Sequence, residues 1–359
     1  MFEPRKGWDK AESAERLMAL LNGEHIYRVP VWLWILGCDF AARMAGFQVA
    51  DIYQDVEKSF WAQVWTQDMY GSDDIPRTTF GAPALTFGGE VKAPTDKYDM
   101  GMRVSRHPVE SEEDALKLRL PDDIKTVPPI NFQMQFARLQ EKYGYPITVW
   151  CESPLDLVAQ LCGISRLCRW LIKKPELVHH LLRFAVAYRL KVLRYWADTF
   201  SPECIIVVGA APITANTVIS PKHFEAFNMP YHKELNEKIM AMGIKHIFCH
   251  LCGDHTKNLP LWAQIPMGNP GILSFGHDVD LSEAVKHLGD KNVICGNVDP
   301  AVIVRGTPEQ AYQLSQQCIE KAKDAPRGFI LMPGCAIPSL TSPYNVYMLK
   351  KAADDFGRY

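Results

Sequence analysis

His246-Ile247-Phe248-Cys249-His250-Leu251-Cys252-Gly253 is the stretch on which the reading of this chain turns. An apolar run, short enough for one buried strand, ends in a histidine and a cysteine one residue apart and stops at a glycine. Imidazole and thiolate are donors that favour zinc over magnesium or calcium. A satisfied core histidine beside a buried cysteine gives the same pattern. The rest of the chain decides between the two.

The same rhythm repeats outward from this stretch. Pro146-Ile147-Thr148-Val149-Trp150-Cys151 and Cys204-Ile205-Ile206-Val207-Val208 read as strands before it. Ile272-Leu273-Ser274-Phe275, Val293-Ile294-Cys295-Gly296 and Phe329-Ile330-Leu331-Met332 read as strands after it. Continuous apolar runs suit strands buried on both faces. Helices fill the gaps: they open at Ser153-Pro154, Ser220-Pro221, Thr307-Pro308-Glu309-Gln310 and Ser342-Pro343, with Ser or Thr as cap and Pro in the first turn. Pro175 to Phe200 is a long helix and Leu281 to Leu288 a short one. Alternation of this kind argues parallel βαβ units with right-handed crossovers. With Arg28 to Trp34 as a first strand, the count reaches about eight, which predicts an α/β fold of the (β/α)8 TIM-barrel type. A doubly wound open sheet is the alternative. No Gly-rich phosphate loop follows the first strand to support it, and Gly209-Ala210-Ala211-Pro212 is too weak a match.

The first part of the chain is less regular. Residues 11–21 read as a helix closing at Asn22-Gly23, within an N-terminal arm of 1–28. Residues 37–145 read as a long covering insertion, with a helical piece from Asp51 to Tyr70, a strand near Ala84 to Phe87 and many prolines. With no linker or repeat, 1–359 is expected to be a single domain.

Of 359 residues, 47% are hydrophobic and 22% charged, and the net charge of -2 supplies no basic field for nucleic acid or anionic lipid. The charged start Met1-Phe2-Glu3-Pro4-Arg5-Lys6 predicts no signal peptide, and the run Val29 to Gly37 is too short to span a bilayer. A cytoplasmic enzyme with no membrane contact is expected. Its ten cysteines are then reduced thiols, with Cys162, Cys168 and Cys318 read as core.

In a barrel, residues just past the strand ends face the active site. Those positions hold Trp34, Glu152, Gly209, His250 with Cys252, His277 with Asp278, Asn297 with Asp299, and Cys335. Cys252 and Cys335 lie 83 residues apart, so only a barrel brings them together. Two thiolates and one imidazole leave a further coordination position open, the pattern of a catalytic metal site. Glu152 and His277 are candidates for proton transfer or a fourth ligand, and Glu152 alternatively for a charge at a helix N-terminus. Trp34, Asp278 and Asn297 are candidates for substrate binding, although Asn297 and Asp299 suit a structural role better, fixing the loop after the seventh strand. Trp32, Trp34, Trp61 and Trp65 suit either an aromatic pocket or core packing. His255 is read as a surface residue without a role.

An ordered series of motifs carries a family resemblance: Ser220-Pro221-x-x-Phe224-x-x-Phe227-x-x-Pro230-Tyr231, His250-x-Cys252-Gly253, Gly296-Asn297-Val298-Asp299-Pro300, Gly306-Thr307-Pro308-Glu309, Phe329-Ile330-Leu331-x-x-Gly334-Cys335-x-Ile337-Pro338 and Pro343-x-Asn345-Val346. The chain resembles the uroporphyrinogen decarboxylase superfamily, and within it the zinc- and corrinoid-dependent methyltransferase branch. The resemblance is strong from about residue 146 onward and thin before it. It implies a (β/α)8 barrel, with zinc on His250, Cys252 and Cys335. It also implies methyl transfer between a small methylated substrate and the cobalt of a corrinoid protein docked at the barrel mouth. The decarboxylases resemble one another in a first-strand motif with arginines for substrate carboxylates. Trp32-Leu33-Trp34-Ile35-Leu36-Gly37-Cys38-Asp39 has none. No Asp-x-His-x-x-Gly cobalamin signature occurs, so the corrinoid is expected on a partner. An arginine-poor, aromatic first strand suits aryl methyl ethers, hence O-demethylation. Methylcobalamin:thiol transfer is the alternative. A decarboxylase and a non-catalytic partner of a corrinoid protein stand behind both.

Overall fold

The computed structural model describes residues 10–33, 39–78, 82–95 and 101–359. A small antiparallel hairpin, β1 (Glu90–Lys92) with β2 (Arg103–Arg106), precedes the main sheet. That sheet is parallel and follows chain order: β3 (Ile147–Trp150), β4 (Ile205–Ala210), β5 (His246–Leu251), β6 (Gly271–Phe275), β7 (Asn292–Val298) and β8 (Phe329–Pro333). All six strands are buried along their length, as their apolar runs require.

Two extended segments close the barrel. Segment 28–33 lies along β8: Val31 bridges Leu331 in parallel, and Trp32 N donates to Leu331 O. Segment 72–78 lies beside it, with Asp73 N donating to Val31 O. The Asp73 and Asp74 carboxylates accept from the amides of Val31 and Leu33. Gln140 spans the next gap. Its amide nitrogen donates to Pro76 O, and its oxygen accepts from Thr148 N in β3. The interior cluster draws on all eight positions: Trp32, Ile75, Trp150, Val208, Phe248, Ile272, Cys295 and Met332 among others. This is the filled interior of a (β/α)8 barrel.

The N-terminal helix Lys10–Asn22 ends at Gly23, whose φ of +73° suits glycine. Its Leu17, Leu20 and Leu21 join the interior cluster. Leu20 lies against Gly328, just before β8, so the arm stoppers the N-terminal end of the strands. Asp73 is ion-paired with both Arg16 and Arg28, which ties arm and barrel together.

The region 37–145 differs from its reading as an irregular cover. It supplies the wall segment 72–78 and the amphipathic helix Pro128–Lys142 that carries Gln140. Pro128-Pro129 opens this helix, because Pro in the first turn gives up no helical hydrogen bond. The strand expected near Ala84 to Phe87 is instead a short helix, Pro83–Thr86, again opened by proline. Helices Val56–Tyr70 and Pro175–Ala197 agree with expectation. The helix after Ser220 contains a wide turn at Phe224–Asn228, where Pro230 has no N–H to continue the ladder. Among the described residues no helix is long and apolar enough to cross a membrane.

Candidate metal centre

Side chains alternate along β5. Ile247, Cys249 and Leu251 join the layer under the helices, while Phe248 faces the barrel interior. His250 continues the Phe248 face at the mouth. It is fully buried, paired in register with Ala210 of β4 and Ser274 of β6. Its Nδ1 lies 2.7 Å from Ser274 Oγ. Its Nε2 is buried and has no hydrogen-bond partner. A buried polar nitrogen without a partner is costly and calls for an explanation.

Cys252 leaves β5 one residue beyond its end, and Cys335 follows β8 by two. The loops that carry them each pack closely on the loop after β6. A Cβ on Gly276 would lie 2.6 Å from Gly253 N, and one on Gly334 would lie 2.9 Å from His277 N. The two sulfurs are 3.8 Å apart, and the donor atoms of His250, Cys252 and Cys335 all lie within 4.8 Å of one another. Two sulfurs each about 2.3 Å from a tetrahedral zinc are about 3.8 Å apart. The donor set, its spacing and the partnerless Nε2 therefore fit a zinc ion. The sulfurs share one hydrogen bond. It pulls the Cys335 thiol below the ordinary range and pushes the Cys252 thiol up.

The other rim candidates separate. Glu152 is buried and ion-paired with Arg189, and it accepts from Gln160 Nε2 at 3.2 Å. Its Oε2 is buried without a hydrogen-bond partner. Arg189 had escaped the sequence reading. Its signal was an arginine on the apolar face of a long helix, in step with Ala185, Val192 and Leu193. Asp156, one turn beyond Glu152, is fully buried, and burial raises its carboxyl to about 7. With Gln160, His107 and Ile213 it lines a cavity of about 700 Å³. His277 and Asp278 are about half exposed and 3.8 Å apart. Asp278 is close enough to help raise the Cys252 thiol. Asn297 donates to the carbonyls of Gly276 and Val279, so it holds the loop after β6. Asp299 caps the next helix. Trp34 lies outside the described residues. Trp32 packs on Phe248 inside the barrel, and Trp61 and Trp65 belong to a separate aromatic cluster. His255, read as a surface residue, is fully buried, and burial lowers its pKa to about 4. The turn at Gly253 folds it back beneath Cys252.

Comparison with known proteins bears on the family and the fold. The family model "Uroporphyrinogen decarboxylase (URO-D)" matches residues 12–356. Methylcobamide:CoM methyltransferase MtbA of Methanosarcina acetivorans is 28% identical over 230 residues, 61% of either chain. Methylated-thiol–coenzyme M methyltransferase of Methanosarcina mazei is 29% identical over 194 residues, 52% of this chain and 48% of its own length. These matches span about three-fifths or less of the relatives. A solved methyltransferase from Methanosarcina mazei superposes with a TM-score of 0.80 at 20% identity, covering 96% of this chain and 98% of its own. That likeness shows a shared fold.

Proposed function

Since the chain belongs to the uroporphyrinogen decarboxylase (URO-D) family and carries a His/Cys/Cys donor set at its barrel mouth, we propose that it is a zinc-dependent methyltransferase working with a corrinoid protein. The observation that carries this is the cluster of three donors within 4.8 Å, with His250 Nε2 buried and partnerless. His250, Cys252 and Cys335 are the proposed ligands. Zinc held there would act as a Lewis acid, keeping a substrate thiol deprotonated or easing departure of a methylated heteroatom.

The chain's own residues do the rest. Ser274 holds one imidazole nitrogen, so the other faces the two sulfurs. Glu152, neutralised by Arg189, places a buried carboxylate oxygen on the rim as acceptor for a substrate proton or as a further ligand. His277 and Asp278, at the exposed lip, would meet the substrate or the docked partner first. The corrinoid would be presented by a separate protein seated over the mouth.

Two substrate readings compete. The relatives named above act, by name, on coenzyme M and methylated thiols. They favour a thiol acceptor over aryl methyl ether O-demethylation. In the thiol direction a methyl group passes from cobalt to sulfur, the cobalt–carbon pair of electrons stays on cobalt, and the thiol proton is released. Decarboxylation is disfavoured. It needs cations free to grip carboxylates, and Arg28 and Arg77 in the first two barrel segments are each ion-paired with an aspartate.

The test mixes zinc-loaded protein with methylcobalamin and a panel of thiols. In parallel it mixes the protein with cobalt(I) corrinoid and a panel of aryl methyl ethers. Absorbance reports the cobalt–carbon bond. Loss of methylcobalt with thiols alone supports the thiol reading, and gain with ethers alone revives O-demethylation. No stoichiometric zinc, and no change in either arm with corrinoid protein present, would sink the proposal.

A further inference from the structure

His255 lies three residues past Cys252 and is fully buried. Its two ring nitrogens meet different partners. Nδ1 is 3.2 Å from the indole nitrogen of Trp262. An indole N–H can only donate, so Nδ1 must accept. The ring proton therefore sits on Nε2, which is 3.2 Å from the carbonyl oxygen of Cys252 and donates to it. The partners assign the tautomer without further assumption.

The post behind this relay is rigid. Trp262 is fully buried and packs against Phe224 and His232, each with ring centroids 5.2 Å away. The turn it supports is pinned on its other side: Asn216 N donates to Asp254 O at 2.7 Å, and Asn258 Nδ2 donates to Thr214 O at 2.9 Å. Just before these anchors, and directly after Cys252, the chain turns through Gly253 at a φ of +83°, a backbone conformation that suits glycine. A hold on the Cys252 carbonyl fixes the peptide that leads into this turn, and with it the direction of the thiol.

We infer that His255 is a positioning residue for Cys252: the Trp262–His255 pair grips the Cys252 carbonyl and so aims its sulfur at Cys335 and His250. This rests on the metal reading proposed above. The effect belongs to metal retention and ligand geometry. His255 lies beneath the turn and need not touch substrate. Outer partners of metal ligands typically contribute about 10–100-fold to affinity.

The experiment measures zinc affinity against a competing chelator, and the thiolate-to-cobalt absorption of the cobalt(II)-loaded protein. It uses full-length wild type, His255→Leu, His255→Gln and Trp262→Phe. Circular dichroism of the metal-free proteins checks the fold. His255→Leu should weaken zinc binding about 10–100-fold and dim the thiolate absorption. His255→Gln, which keeps one donor and one acceptor, should restore most of both. Trp262→Phe should fall between. Wild-type affinity and spectrum in His255→Leu would overturn the inference, and so would a His255→Gln as weak as the leucine variant. Should His255→Leu fail to fold, Trp262→Phe decides: unchanged affinity overturns, weakened affinity supports. A wild-type protein that takes up neither zinc nor cobalt removes the metal reading and this inference with it.

Discussion

The two sides of this barrel are closed by different bonds. From β3 to β8 every neighbouring pair is joined by an unbroken parallel backbone ladder. From β8 through segments 28–33 and 72–78 to β3, side chains do most of the stitching: Asp73, Asp74, Gln63 and Gln140 accept from or donate to the backbone of the neighbouring segments. The described rim candidates, Glu152, His250, Cys252, His277, Asn297 and Cys335, all belong to the laddered side. A ladder spreads its stabilisation over many bonds of about 1 kcal/mol net each. A stitched seam concentrates it in a few buried groups, and removing one strands its partners. The division teaches that chemistry and stability can be perturbed separately in this fold.

The strongest challenge to that division is Cys335→Ala. Loss of a ligand should cost zinc affinity more than the roughly 10–100-fold expected of an outer partner, and abolish methyl transfer. Denaturant unfolding of the metal-free protein should barely change. A variant that retains stoichiometric zinc would show that the laddered rim is not the metal site. Next comes Asp73→Ala, which leaves Arg16 and Arg28 buried without their common carboxylate. Urea unfolding should show a loss of about 3–5 kcal/mol, with zinc affinity of the folded protein unchanged. A loss under about 1 kcal/mol would mean the seam does not depend on its side chains. Ser274→Ala frees His250 Nδ1, and chelator competition should register about 10–100-fold weaker zinc with little change in unfolding.

The smallest effect sharpens the comparison at His232. This ring is buried and its Nδ1 is partnerless, like Nε2 of His250, yet among the described residues it belongs to no cluster of metal donors. Burial lowers its pKa from 6.5 to about 4. The unfolded chain takes up a proton below pH 6.5 while the folded one does not. Its stability contribution is therefore intact above 6.5 and is lost as pH falls toward 4, by about 1.4 kcal/mol at pH 5.5. His255 titrates in the same window. His232→Leu should flatten its share of that slope and leave zinc stoichiometry unchanged. A pH profile identical to wild type would show that folding does not lower the His232 pKa.

What could be read from the sequence followed the same division. Strands buried on both faces announce themselves as apolar runs, and their helices open with Ser-Pro or Thr-Pro, so β3 to β8 were legible. The second wall segment, Asp73-Asp74-Ile75-Pro76-Arg77-Thr78, is polar because it bonds through side chains, and no hydrophobic pattern marks it. The ligand trio was legible because soft donors fell at strand ends. Arg189 and His255 were not. Each acts on a rim residue from a distance in sequence or from beneath a turn, where spacing carries no signal.

The collar of glycines at the mouth has a consequence for redesign. Gly209, Gly276 and Gly334 sit where a methyl group would collide with backbone of the neighbouring loop, at 2.0, 2.6 and 2.9 Å. Mutational libraries aimed at a new substrate range would be wasted on those three codons. Side chains that line the cavity at Asp156, such as His107, Gln160 and Ile213, can be shortened without such a collision.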